Sequence, residues 1–181
     1  KRMKNIARYF VNRKRVIWHF TLQLKSNKSH VCGDSDWGGR TGSPKSTSGG
    51  VWMLGIHCIK TWSVTQGEVA LSSAEAEFYA MIEAVIRAKG LRNLAVELGF
   101  SDLENVVHVG PDSSAAKSFV GKMKHLEIRD LWLQKEVRDG KVIVSKVLGT
   151  ENPSDLGTKI FNTGEIVERL AGMNLEPVLG K

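Results

Sequence analysis

The alternation of apolar and polar positions is clearest over residues 71–85, LSSAEAEFYAMIEAV. Phe78, Met81, Ile82 and Val85 recur at i, i+3, i+4 and i+7, the stripe of a helix that faces a core. Ser72 or Ser73 is suited to cap its N-terminus, and Glu75 falls in the first turn, where a negative charge suits the helix dipole. The spacing predicts a helix over residues 73–97, loosened at Gly90. Glu77 lies beside Phe78, at the edge of the buried face. Glu75, about 200° away around the helix, is expected to be exposed.

The rest of the chain carries similar signals. Residues 1–12 pattern as an amphipathic helix, with Met3, Ile6, Ala7, Phe10 and Val11 on one face. Residues 16–24 alternate (Val16, Trp18, Phe20, Leu22, Leu24) as a half-buried strand. A short apolar run at 30–33 leads into Asp34. Residues 38–50, rich in Gly, Ser, Thr and Lys, read as a loop. The β-rich runs 51–56 and 58–64, tightly connected, predict an antiparallel hairpin. Beyond the long helix come a buried strand at 106–109, a short helix at 112–119, and a helix at 126–137 with Leu126, Leu133 and Val137 inward and Trp132 near that face. A strand at 141–147, a short helix at 152–160 and a terminal helix at 164–171 complete the order. Trp37 and Trp62 are expected in the core. Strands separated by helices make parallel neighbours, and the early hairpin supplies an antiparallel edge. The prediction is an α/β domain with a five-stranded mixed sheet flanked by helices, and without internal repeats.

Composition narrows the class. The 181 residues suffice for one domain with a real core and an appended arm. No run approaches a membrane span, and no secretory signal is visible. Cys32 and Cys58 are too few for a disulfide framework and are expected as buried reduced thiols, in keeping with an intracellular, reducing setting. No Cys/His cluster has zinc spacing. The net charge of +7 favours a polyanionic partner. It is concentrated at the start: residues 1–33 hold nine Lys/Arg and no Asp or Glu, and the remainder has 17 bases against 19 acids. That basic segment reads as a solvated helix face, an arm along nucleic-acid phosphates, or an organelle-import signal. The first residue is Lys rather than Met, as expected of a fragment or processed product.

Four acids stand at element ends. Asp34 ends the first core strand and Asp112 the strand after the long helix, where open α/β sheets collect their ligands. Glu77 comes from the first turns of the long helix, and Asp155 from the start of the helix in ENPSDL. Gathered in one crevice they would repel without a counter-charge. Two Mg²⁺ ions, hard cations that take oxygen ligands, would resolve this; held about 4 Å apart, such ions can activate a water and stabilise the leaving oxygen of a phosphodiester. The plainer reading is of ordinary strand-end acids and helix caps, Asp112 and Asp155 above all.

Six segments in order and spacing settle on a resemblance: CGDSDWGG, PKSTSGG, TQGEVALSSAEAEFYA, DSSAAKSF, KHLEIRDLWLQ and TENPSDLGTK. Together, over roughly residues 30–161, they resemble the ribonuclease H domain of copia-type retrotransposon Pol polyproteins, and residues 1–24 resemble the segment connecting it to the reverse transcriptase. The resemblance implies a ribonuclease H-like fold. It divides the chain into a basic connecting segment (1–28), the ribonuclease H-like domain (29–161) and a C-terminal helix or tail (162–181). It also implies an endonuclease that hydrolyses the RNA strand of RNA–DNA hybrids with two Mg²⁺ ions, Mn²⁺ substituting. By motif, the ligand set is Asp34, Glu77, Asp112 and Asp155, with Asp36 and Glu75 as the competing assignments. Asp34 would bridge both ions, Glu77 and Asp112 hold one, and Asp155 the other.

Hybrid recognition would rest on backbone shape and the 2′-hydroxyl. Ser73 and Ser113 are candidates for the minor groove or phosphate, or else helix caps; Lys122, Lys124, His125 and Arg129 are candidates for phosphate contact, or else a solvated helix face. A reverse transcriptase domain N-terminal in the same polyprotein is the implied partner. Three departures stand out. Pro111 precedes Asp112 and removes a backbone donor at the strand end. The stretch between Ala116 and His125 is short. The loop GTENPS lacks the mobile His that cellular ribonucleases H carry, and Glu151 or Asn152 occupies its place. Pro111 and the short stretch suggest an alternative: a captured, catalytically weak copy kept as a structural or nucleic-acid-binding subunit of a host assembly. An integrase-like nuclease is disfavoured, because that class normally ends its acidic set in Glu.

Overall fold

Gly55, with φ of +60°, turns the chain in two residues between the apolar runs. The runs become antiparallel strands, Thr47–Leu54 (β3) and His57–Thr65 (β4). The structure, a computed structural model, describes residues 11, 15–24, 28–39, 42–100, 102–111 and 128–178. The remaining elements are β1 (Arg15–Trp18), β2 (Ser29–Ser35), α1 (Ser73–Glu97), β5 (Val107–Pro111), α2 (Ile128–Arg138), β6 (Val142–Val144), the 3₁₀ turns Gly149–Glu151 and Pro153–Gly157, α3 (Thr163–Ala171) and β7 (Leu175–Val178). The main sheet has the order β4-β3-β2-β5-β6; β4, β3 and β2 are antiparallel, and β2, β5 and β6 parallel. This is the five-stranded mixed sheet the pattern predicts, with β2 at its centre.

Side-chain alternation on β3 separates two apolar layers. Trp52 joins Val31, Phe78, Met81, Val85, Val109 and Leu133 in the core under α1 and α2. Its neighbours Val51 and Met53 point the other way, to Cys58, Met173 and Leu175, where Leu170 of α3 also packs. Helices thus cover one face, and α3 with β7 covers part of the other.

Helix α1 runs over the predicted residues. Ser72 is its cap, its hydroxyl accepting from the Glu75 amide at 3.2 Å, and Ser73 is the first helical residue. Its buried face is wider than the periodicity indicates, because Ala76, Ala80, Ala84 and Ala88 are buried along with the four large residues. That small stripe lets the helix lie close on β2: a Cβ on Gly33 would meet the Ala80 carbonyl at 3.3 Å and the Ala84 methyl at 3.4 Å. The helix does not break at Gly90, which is exposed with open space where a Cβ would stand. Gly90→Ala is therefore expected to stabilise the domain by about 0.5–1 kcal/mol, read as a raised urea midpoint at unchanged slope.

Several expectations are corrected. Residues 16–24 are not a half-buried strand: only Arg15–Trp18 is extended, pairing with β7 in a separate two-stranded ribbon, and Phe20, Leu22 and Leu24 are exposed. This segment crosses the β3–β4 turn instead. There the Gln23 amide donates to the Leu54 carbonyl and accepts from the Ile56 amide. Trp37 is not core; it is 53% exposed, its indole N–H donating to the Ala70 carbonyl. Trp62 is buried against Gly50. Strand β3 begins at Thr47, inside the expected loop. The helix expected at 152–160 is the 3₁₀ turn Pro153–Gly157. Glu75 is half-buried, its carboxylate accepting from Tyr79 Oη and the Leu71 amide. The helix expected at 1–12 lies outside the described residues except for Val11, and the one at 112–119 lies wholly outside them, as does the start of the one at 126–137.

Cys32 and Cys58 are both buried and neither is in a disulfide. Burial pushes their thiols up to about 12 and about 11, with the Asp155 carboxylate adding to the shift at Cys32. Among the described residues no helix is long and apolar enough to cross a membrane.

Candidate active site at the end of the central strand

Asp34 is the penultimate residue of β2 and is 1% exposed. An acid at that depth needs partners, and two glycines bring them within reach. Gly49 sits opposite Asp34 on β3. A Cβ there would stand 2.6 Å from the Ser154 carbonyl, and one on Gly157 would stand 2.9 Å from the Gly49 Cα. Two side-chain-free positions therefore let the 3₁₀ turn Pro153–Gly157 lie directly on the sheet. Asn152 fastens the turn: its carbonyl oxygen accepts from the Ser154 amide at 3.2 Å, and its NH₂ donates to the Gly33 carbonyl at 3.5 Å. Asn152, not Asp155, is the cap, which leaves the Asp155 carboxylate available for other contacts.

Those contacts join the two aspartates. The Lys159 ammonium donates to Asp34 Oδ1 at 3.3 Å and to Asp155 Oδ1 at 2.8 Å. The Thr158 hydroxyl donates to Asp34 Oδ2. Arg169, from α3, reaches Asp155 Oδ2 at 3.1 Å and is held in place by the Thr150 carbonyl at 3.0 Å and by the Phe161 ring beneath it. Burying carboxylates carries a large desolvation cost, offset only where charge and hydrogen bonds meet them, as here.

Glu77, in the second turn of α1, reaches the same end of β2 from the helix-covered face. Its Oε1 accepts from the Ser35 amide at 3.3 Å and the Ser35 hydroxyl at 3.1 Å, one residue beyond Asp34. The competing acids are used elsewhere. Asp36 accepts from the Thr47 amide at 2.6 Å and closes the turn after β2; Glu75 braces the start of α1.

Strands β2 and β5 are parallel neighbours, with Gly33 level with Pro111. Asp112 follows Pro111 and lies outside the described residues, as do Ser113, Lys122, Lys124 and His125; Arg129 is in the first turn of α2. Ser73 is exposed at the start of α1. The residues that sequence reasoning passed over are Ser35, Thr158, Lys159 and Arg169. Asp155 and Lys159 are four apart, a spacing that could have pointed to the pair.

No family model matches the chain. It is 31% identical over 147 residues to the retrovirus-related Pol polyprotein from transposon TNT 1-94 of Nicotiana tabacum, across 78% of this chain and 11% of that polyprotein. It is 30% identical to the Pol polyprotein from transposon RE2 of Arabidopsis thaliana, across 72% of this chain and 9% of the relative. Among solved structures, LC11-RNase H1, isolated from compost by a metagenomic approach, aligns with a TM-score of 0.50 at 21% identity, covering 72% of this chain and 91% of that one. The chain is thus related in sequence to retrotransposon Pol polyproteins and has the ribonuclease H fold. It spans about a tenth of the length of the curated relatives it matches.

Two departures of this ribonuclease H-like domain can be located. Pro111 does not break the ladder: it is fully buried, pairs in register with Gly33, and its carbonyl accepts from the Val147 amide at 3.0 Å. In the His-free loop, Glu151 is exposed while Asn152 is completely buried as the cap, so Glu151 is the side chain with room to move. The shortened stretch before His125 lies outside the described residues.

The donor set of the domain suits a hard divalent cation, being carboxylate oxygen throughout. The structural sign of fit is that Asp34 and Asp155 already share one cationic group, the Lys159 ammonium. Among the described residues no three Asp, Glu, His or Cys side chains are gathered to hold an ion as they stand. Lys159 draws two of the candidates together, and Ser35 engages the third.

Proposed function

We propose that this ribonuclease H domain hydrolyses the RNA strand of RNA–DNA hybrids, with Asp34, Glu77, Asp112 and Asp155 holding two Mg²⁺ ions, for which Mn²⁺ can substitute. The observation that carries the reading is the pair of buried carboxylates, Asp34 and Asp155, drawn from distant parts of the chain to one cation at the end of the central strand. Bound magnesium would activate water for in-line attack and neutralise charge on the scissile phosphate, leaving a 5′-phosphate and a 3′-hydroxyl.

The work of the chain itself is positioning. Ser35 orients Glu77, Arg169 orients Asp155, and the Gly49–Gly157 contact sets the distance between the strand and the turn. The carboxylates act as ligands and need no proton. Substrate contact is assigned to Ser73, Ser113, Lys124, His125 and Arg129, through phosphates and the 2′-hydroxyls that mark an RNA strand. The preceding partner is a reverse transcriptase domain of the same polyprotein, in keeping with the length of the relatives.

The test is cleavage of end-labelled RNA, annealed to DNA or single-stranded, in Mg²⁺ or EDTA. Cleavage is expected only of the hybrid, only with metal, and not by Asp112→Asn. Undiminished cleavage by that variant refutes the ligand assignment. No cleavage of any substrate by the unaltered domain would favour the captured, inactive alternative.

A further inference from the structure

Both oxygens of Asp34 and both of Asp155 are already engaged by side chains of this chain. Lys159 takes one from each, Thr158 the other oxygen of Asp34, and Arg169 the other oxygen of Asp155. Each oxygen keeps a further lone pair, but a divalent ion drawn to both carboxylates would contest the place between them that the Lys159 ammonium holds. Arg169 is not suited to leave: its side chain is 14% exposed, bonds two backbone carbonyls of the Gly149–Glu151 turn, and lies over Phe161. Thr158 is tied by its short side chain to the turn that carries Asp155, its hydroxyl also reaching the Asp155 carbonyl. Lys159 differs: its side chain is 41% exposed and ends a flexible four-carbon stem.

We propose that Lys159 is a resident counter-cation, which holds Asp34 and Asp155 together before metal enters and which a divalent ion must displace, so that this lysine sets the metal affinity of the domain. The inference rests on the metal-site reading above. Without the ammonium, two buried like charges would push the 3₁₀ turn away from β2. With it, the site is held in shape, and the entering ion competes with a tethered cation. The displaced ammonium swings toward solvent beside the carboxylates, where a polyanionic strand would lie, so nucleic acid and metal favour the same position of Lys159.

The test is Mn²⁺ binding without nucleic acid, by isothermal titration calorimetry. Lys159→Met is expected to bind Mn²⁺ about tenfold more tightly than the unaltered domain, while melting at a lower temperature in EDTA. Lys159→Arg, which keeps the charge, should stay near the unaltered affinity. Equal or weaker binding by Lys159→Met overturns the proposal. A measurement on the unaltered domain covers the case in which that variant fails to fold. Acylation of the Lys159 amine, followed by mass spectrometry, should speed up severalfold on saturation with Mn²⁺, and an unchanged rate overturns the proposal. Asp155→Asn separates the two levels. If it removes Mn²⁺ binding but Lys159 responds in neither assay, only the lysine's role fails. If the domain binds no Mn²⁺ that this substitution removes, the metal site fails with it.

Discussion

Asp155→Asn should leave a folded domain whose hydrolysis of RNA in a hybrid drops by roughly a thousandfold or more. The substitution preserves shape. Its amide oxygen can still accept from Arg169 or Lys159, so the turn stays on the sheet. What is lost is the negative charge, which a divalent ion requires and a neutral amide supplies poorly. Arg169 is then left with a weaker partner, and a stability loss of about 1–3 kcal/mol is expected in urea unfolding. The matched control is Asp36→Asn. The Asp36 carboxylate accepts from the Thr47 amide, a contact Asn can also make, so cleavage should stay within a fewfold of the unaltered domain. Equal activity of the two variants would mean that Asp155 is not a ligand or that Asp36 is one.

Gly49→Ala is the second large effect, and it reaches the site without touching a ligand. The added methyl would stand 2.6 Å from the Ser154 carbonyl and 2.9 Å from the Thr158 methyl. One obstacle is backbone, so the turn Pro153–Gly157 must lift from β3. The overpacking should cost about 1–3 kcal/mol. The same displacement carries Asp155 and Thr158 away from Asp34, and a shift on the order of 1 Å at a catalytic group can cost about a hundredfold in rate. Stability and hydrolysis should therefore fall together, in contrast to Gly90→Ala, where open space is expected to give a gain. A Gly49→Ala domain with unaltered unfolding and turnover would show that the close contact does not hold the site.

The legible parts of this protein are those whose physics is local. Helix α1 could be placed because its cap, its first-turn acid and its 3.6-residue apolar period all sit within its own residues. The hairpin was visible as two tightly connected β-rich runs, while its turn at Gly55 fell inside the first of them. Trp37 and residues 16–24 misled because aromatic and alternating residues signal burial only where a second layer covers them. Trp37 lies at a turn, and the alternating run lies in and beside a ribbon apart from the main sheet. The alanine stripe on α1 carried too little apolar signal to mark a contact face, although it is what allows the helix to approach Gly33.

The candidate site divides in the same way. The positions of Asp34, Glu77 and Asp155 at element ends followed from pattern and motif. Their surroundings did not, because Ser35 with Glu77, Thr158 and Lys159 with Asp34, and Gly49 with Gly157 are contacts between residues far apart in the chain. The sequence alone determined where the long helix and the hairpin lie, and that Asp34 stands where a strand ends, because periodicity and capping are properties of neighbouring residues. Only the tertiary structure decided that two of those acids share a lysine and that a glycine contact brings them together. Charge pairing and close approach depend on distances that chain order does not specify.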